Sequence, residues 1–212
     1  MTTIVKLRYD LVAKYIQDTF PFTRFPNLLT RCPIELYDEY YYVTPYDLVI
    51  PTLEKIHAFF ETSKLVWKKD VWDCDNFAGL FKQLFTLYTK TNSVFQADGR
   101  VDSYLIENDT IFPFPEILGY HAFNVLFFSA PPSKEVEIPS ILLTTIENQA
   151  VYLSVLEPQF LLRIMERKEY VEAFLKPYDF MRFKMFGYEV LFKEDEKTRK
   201  YLIVYHPMKV HG

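Results

Sequence analysis

Residues 72–90, WDCDNFAGLFKQLFTLYTK, constrain the fold more than any other part of the chain. Phe77, Leu80, Phe81, Leu84, Phe85, Leu87 and Tyr88 recur at helical spacing and leave little polar surface, so a helix here needs neighbours on most of its sides. Such a helix belongs in the middle of a domain. With 212 residues, 50% of them apolar, the chain can build one sizeable core, and one domain with elaborations is the expectation.

Around that helix the chain changes character three times. Residues 1–45 predict an irregular aromatic arm (FPFTRFPNLLTRCPIELYDEYYYV) after a short helix at about 7–19. Pro21, Pro26 and Pro33 break regular structure, while the aromatics need a surface to cover. A helix is predicted over 45–61, with Thr44 as cap, Pro45 in the first turn and Leu48, Leu53, Ile56, Phe59 and Phe60 as its apolar stripe. After a polar stretch at 90–109 the period shortens. YHAFNVLFF, ILLTTI and AVYLSVLE read as strands of an antiparallel sheet. A helix at about 157–176 follows, and YEVLF and KYLIVYH make a last hairpin around the charged turn 193–197. The fold class is α+β: an arm over 1–45, a core over 46–176 and a C-terminal β-hairpin over 177–212.

Composition removes several functions. A formal charge of −4 with 25% charged residues fits neither a disordered chain nor the basic excess of a nucleic-acid binder. Five glycines exclude a glycine-rich phosphate loop. No stretch reaches the roughly 18 to 20 apolar residues of a membrane span, and MTTIVKLRYD lacks the apolar core of a secretion signal, so a cytoplasmic protein is expected. Cys32 and Cys74 cannot supply a four-ligand zinc site, and no metal or cofactor is expected.

Cys74 falls at the start of the buried-type helix, with Asp73, Asp75 and Asn76 as capping groups. Positive partial charge there favours thiolate over thiol, and the free N–H groups can hold an oxyanion. Asp73 and Asp75 oppose the thiolate if their carboxylates face the sulfur. His121 shares a strand face with Phe123, Val125 and Phe127 by alternation. Glu157 and Gln159 fall in line with Val151, Leu153 and Val155. If the two strands pair antiparallel, His121 comes to Glu157; if ILLTTI lies between them, the two residues separate by a strand length. Taken singly, a cysteine on a core helix and a histidine on an apolar face are ordinary packing residues.

Taken in order, the words WDCDNFA, GYHAFNV and LEPQ resemble the papain-like and transglutaminase-like cysteine hydrolases of the compact, often bacteriophage-encoded type. The resemblance covers about residues 71–160. It implies a Cys-bearing helix packed on an antiparallel sheet, with Cys74 as nucleophile, His121 as base and Glu157 orienting the imidazole. Gln159 or Asn124 would assist. It further implies a cysteine peptidase or amidase acting on an amide or acyl bond of a protein or cell-wall substrate, in the host cytoplasm or the virion. The alternative it carries is a structural virion or assembly protein on the same fold, whose partners are other virion proteins. Tyr120 between Gly119 and His121 departs from the pattern, and no upstream glutamine supplies an oxyanion hole. The tyrosines at 37, 40, 41, 42 and 46 read as packing or a subunit interface, and Cys32, His57, His206 and His211 as ordinary residues of the arm, a helix and the C-terminal tail.

Overall fold

The computed structural model describes residues 4–19, 34–65, 73–108, 110–111, 116–138, 140–156, 188–194 and 197–212. Among them a mostly antiparallel sheet separates two hydrophobic cores, and the α+β class stands.

The helix at the centre of the sequence, α3 (Cys74–Thr89), forms where the apolar stripe requires it. Its start is fixed by a capping box: the Asp73 side chain meets the Asn76 backbone, and the Asp73 N–H donates to Asn76 Oδ1 at 3.2 Å. Lys90 ends the helix in the left-handed conformation, φ 59°, its N–H donating to the Thr86 carbonyl. Phe77, Ala78, Phe81, Leu84 and Phe85 are buried, whereas Leu87 and Tyr88 lie exposed, so the apolar surface is narrower than the sequence predicts. The helix α2 (Tyr46–Thr62) starts one residue after the predicted position. Pro45 takes the cap position. Thr44 instead enters a buried hydroxyl chain, its Oγ1 lying 2.6 Å from Thr91 Oγ1 and 3.1 Å from Ser93 Oγ. Val49, Leu53, Ile56 and Phe60 face inward; Leu48 and Phe59 do not.

The described parts of the arm are more regular than expected. Residues 6–8 form β1 (Lys6–Arg8), so α1 (Tyr9–Thr19) begins two residues later than predicted, because β1 pairs antiparallel with β3 (Tyr40–Tyr42). Two more short strands follow, β2 (Ile34–Glu35) and β4 (Thr44–Pro45). The polar stretch 90–109 is largely a long strand, β5 (Val94–Glu107). With β6 (Thr110–Ile111), β7 (Glu116–Ala130), β8 (Ile141–Ile146), β9 (Gln149–Leu156), β10 (Tyr188–Glu194) and β11 (Lys197–His211) it builds the sheet, in the order β10-β11-β5-β7-β9-β8. The C-terminal hairpin β10–β11 is therefore part of the sheet, with β11 bonded to β5 along most of its length and bulged after Pro207. β8 and β9 are joined by Glu147 and Asn148, both at positive φ, the geometry of a type I′ hairpin turn. The predicted helix at 157–176 lies outside the described residues.

Alternation along the strands sends Phe95, Ala97, Phe123, Val125, Phe127, Val151, Leu153 and Val155 into a core closed by α1, β1 and β3. Val94, Leu126, Phe128, Ala130 and Leu156 enter the opposite core, closed by α2 and α3. No helix among the described residues is long and apolar enough to cross a membrane.

Candidate functional site

Cys74 is the first residue of α3 and stands on its inward stripe, four, seven and eleven residues before Ala78, Phe81 and Phe85. Its thiol is free of disulfide and half-buried. Both flanking carboxylates stand beside it: Sγ and one oxygen each from Asp73 and Asp75 lie within 4.8 Å of one another. These are three consecutive residues around a helix cap, and nothing further among the described residues completes a metal site.

Asn124 is fully buried on β7 and points at α3. Its Nδ2 donates to the Ala78 carbonyl at 3.0 Å and to the Phe95 carbonyl at 3.4 Å, while Oδ1 has no hydrogen-bond partner among the described residues. Its position therefore anchors the central strand one turn past Cys74.

His121 stands on the other face. It pairs with Gly99 across β5 and β7, in a stretch without register shift from Gly119 to Leu126, so it shares the face of Phe123 and Val125. Its ring centroid lies 6.4 Å from that of Phe123. Asn124, at the alternate parity, faces α3. The sheet thus lies between the His121 side chain and the helix that carries Cys74.

The strand pairing left open by the sequence is resolved. β7 and β9 are direct antiparallel neighbours, with Asn124 opposite Leu156 and Ala130 opposite Ala150, and β8 sits outside β9. Val151, Leu153 and Val155 line the same face as His121. Glu157 and Gln159 lie outside the described residues, as does Cys32.

A second group of polar residues is not legible as a cluster in the sequence. His211 Nε2 lies 3.0 Å from Asp98 Oδ2, and Gln96 Nε2 donates to Asp98 Oδ1 at 2.8 Å. Lys82 of α3 donates to the His211 carbonyl at 3.4 Å; burial pushes its ammonium below the ordinary lysine value, with Asp98 opposing the shift. The only signal for this group was the alternation of Gln96 and Asp98, which places both on one strand face. His211 carried none, because its partner is remote in sequence.

No protein-family model matches the chain, and no curated protein matches it. Among solved structures, one described as "PSL1a-E64 complex" is similar at 18% identity and TM-score 0.34, over 57% of this chain and 39% of that one. The aligned part thus spans well under half of that structure.

Proposed function

We propose that this chain is a structural protein of a bacteriophage virion or of its assembly, built on a papain-like scaffold and without cysteine-hydrolase activity. The carrying observation is that His121 and the α3 helix of Cys74 occupy opposite faces of the sheet. A cysteine nucleophile needs its base within hydrogen-bond reach. Two carboxylates beside the sulfur are, in addition, the reverse of the electropositive surroundings in which reactive cysteines sit. The words WDCDNFA, GYHAFNV and LEPQ supply the phage and papain-like parts of the reading. Other virion proteins are its partners, met through tyrosines that the fold leaves outside: Tyr9, Tyr37 and Tyr42 are all exposed, Tyr37 at 74%.

A second reading is favoured by the direct antiparallel pairing of β7 with β9, which puts the described end of β9 beside the His121 half of β7. In it, Cys74, His121 and Glu157 hydrolyse an amide or acyl bond: the sulfur attacks the carbonyl carbon, the amine leaves with a proton, and water resolves the thioester. Two assays separate the readings. Mass spectrometry of purified phage particles should find the chain at stoichiometric amounts. Peptide, isopeptide and cell-wall amide substrates should show no turnover that Cys74→Ala abolishes. Turnover lost in that variant overturns the structural reading and establishes the hydrolase.

A further inference from the structure

We propose that residues 209–212 form an acid-sensitive clasp that holds residues 34–37 against the sheet. β2 is two residues long, and its strand partner is the end of β11, with Val210 opposite Ile34 and His211 opposite Glu35. The Gly212 N–H adds one bond to the Glu35 carbonyl at 2.9 Å. Gly212 fits tightly: a Cβ there would stand 3.0 Å from the Tyr41 hydroxyl. Val210 is buried, but Ile34 and Leu36 of the short segment are only partly so. Charge therefore has leverage over this junction.

The charged groups meet in two linked pairs. Glu35 Oε2 lies 2.8 Å from Lys209 Nζ and accepts from the Tyr37 hydroxyl at 2.9 Å. Asp98 meets His211 at 3.0 Å and stands near Lys82 and Lys209; Glu35 also feels His211, and Lys209 feels Tyr37. Around two carboxylates, one each from β2 and β5, stand two lysines and an imidazole from α3 and β11. A Glu35 carboxyl neutralised in acid leaves the Lys209 ammonium without the counter-charge that holds it to β2. The Lys209 hydrogen bond, then that of Tyr37, holds the Glu35 carboxyl below its ordinary value. A carboxyl depressed in the folded state supports the clasp above its unfolded value, and that support is lost as pH falls through the folded one.

Hydrogen exchange read by mass spectrometry, corrected for intrinsic rates, tests this. Between pH 7 and about pH 3, below the ordinary carboxyl value of about 4.3, exchange of peptides covering 34–42 should rise roughly three- to fivefold, the factor of one or two exposed ion pairs. Peptides within 122–130 should keep their protection. Lys209→Met and Glu35→Gln should each open 34–42 already at pH 7. Unchanged protection of 34–42 in acid overturns the clasp, as does joint loss in both regions or the absence of an effect in both variants.

Discussion

Asn124 reaches from β7 to α3 and donates to the Ala78 carbonyl at 3.0 Å, four residues past Cys74. Burial removes water as a substitute partner, so the strand and the helix are tied by a bond that neither can replace. Asn124→Ala should cost about 1–3 kcal/mol in urea unfolding. Asn124→Asp should cost more, because it replaces the donor with a charge in the same buried place. An alanine variant as stable as the parent would contradict the assignment.

The two faces of α3 predict a sharp contrast. Phe85 is fully buried against α2 and the sheet, and Phe85→Ala should cost about 3–5 kcal/mol through lost burial and the cavity left behind. Leu87, two residues on, is 55% exposed, and Leu87→Ala should change stability by no more than about 0.5 kcal/mol. Similar losses in both variants, measured by thermal or urea unfolding, would mean that the helix is rotated from the orientation described.

Lys90 closes α3 with φ 59°, a region in which a Cβ is strained. Lys90→Gly relieves that strain at the helix end where glycine is most favoured, and should raise stability by about 1 kcal/mol despite the extra entropy of the unfolded chain. A loss of stability would show that Lys90 leaves the left-handed region in solution.

The Asp10 carboxylate accepts two bonds from Arg8, 2.8 Å from Nε and 2.5 Å from Nη2. The Arg8 hydrogen bonds hold its pKa down to about 2. A depressed carboxyl contributes stability above its unfolded value, near about 3.9, and loses it as pH falls through the folded value. Both partners are largely exposed, so the contribution is small. A carboxyl NMR titration should place the Asp10 midpoint near 2, with Arg8→Gln returning it to the ordinary aspartate range; an ordinary midpoint in the parent would contradict the pair.

Much of this architecture is legible in the sequence where neighbours in the chain decide it. The stripe of Phe77, Phe81 and Phe85 with Asp73 and Asn76 before it places α3 within a turn, and alternation places His121 with Phe123. The long strand β5 is hidden because the partner of a polar residue in it is remote: Asp98 meets His211, more than a hundred residues along the chain. The start of α1 shifts for the same reason, since Leu7 pairs with Tyr41 of the arm and not with the next turn of a helix. Alternation also cannot say which face of a sheet a helix will cover. That depends on Asn124 and Leu126, not on His121, and it decides whether Cys74 has a histidine beside it.

The separation of Cys74 from His121 is tested most directly by alkylation of the thiol. With Cys32→Ser as background, the iodoacetamide rate at Cys74 is followed by mass spectrometry from about pH 5 to 9, with and without His121→Ala. Opposite faces of the sheet predict superimposable pH profiles, because the imidazole neither accepts the thiol proton nor pairs with the thiolate. A fall of about tenfold or more in the His121→Ala rate near neutral pH would show the two side chains acting together, and would contradict the account.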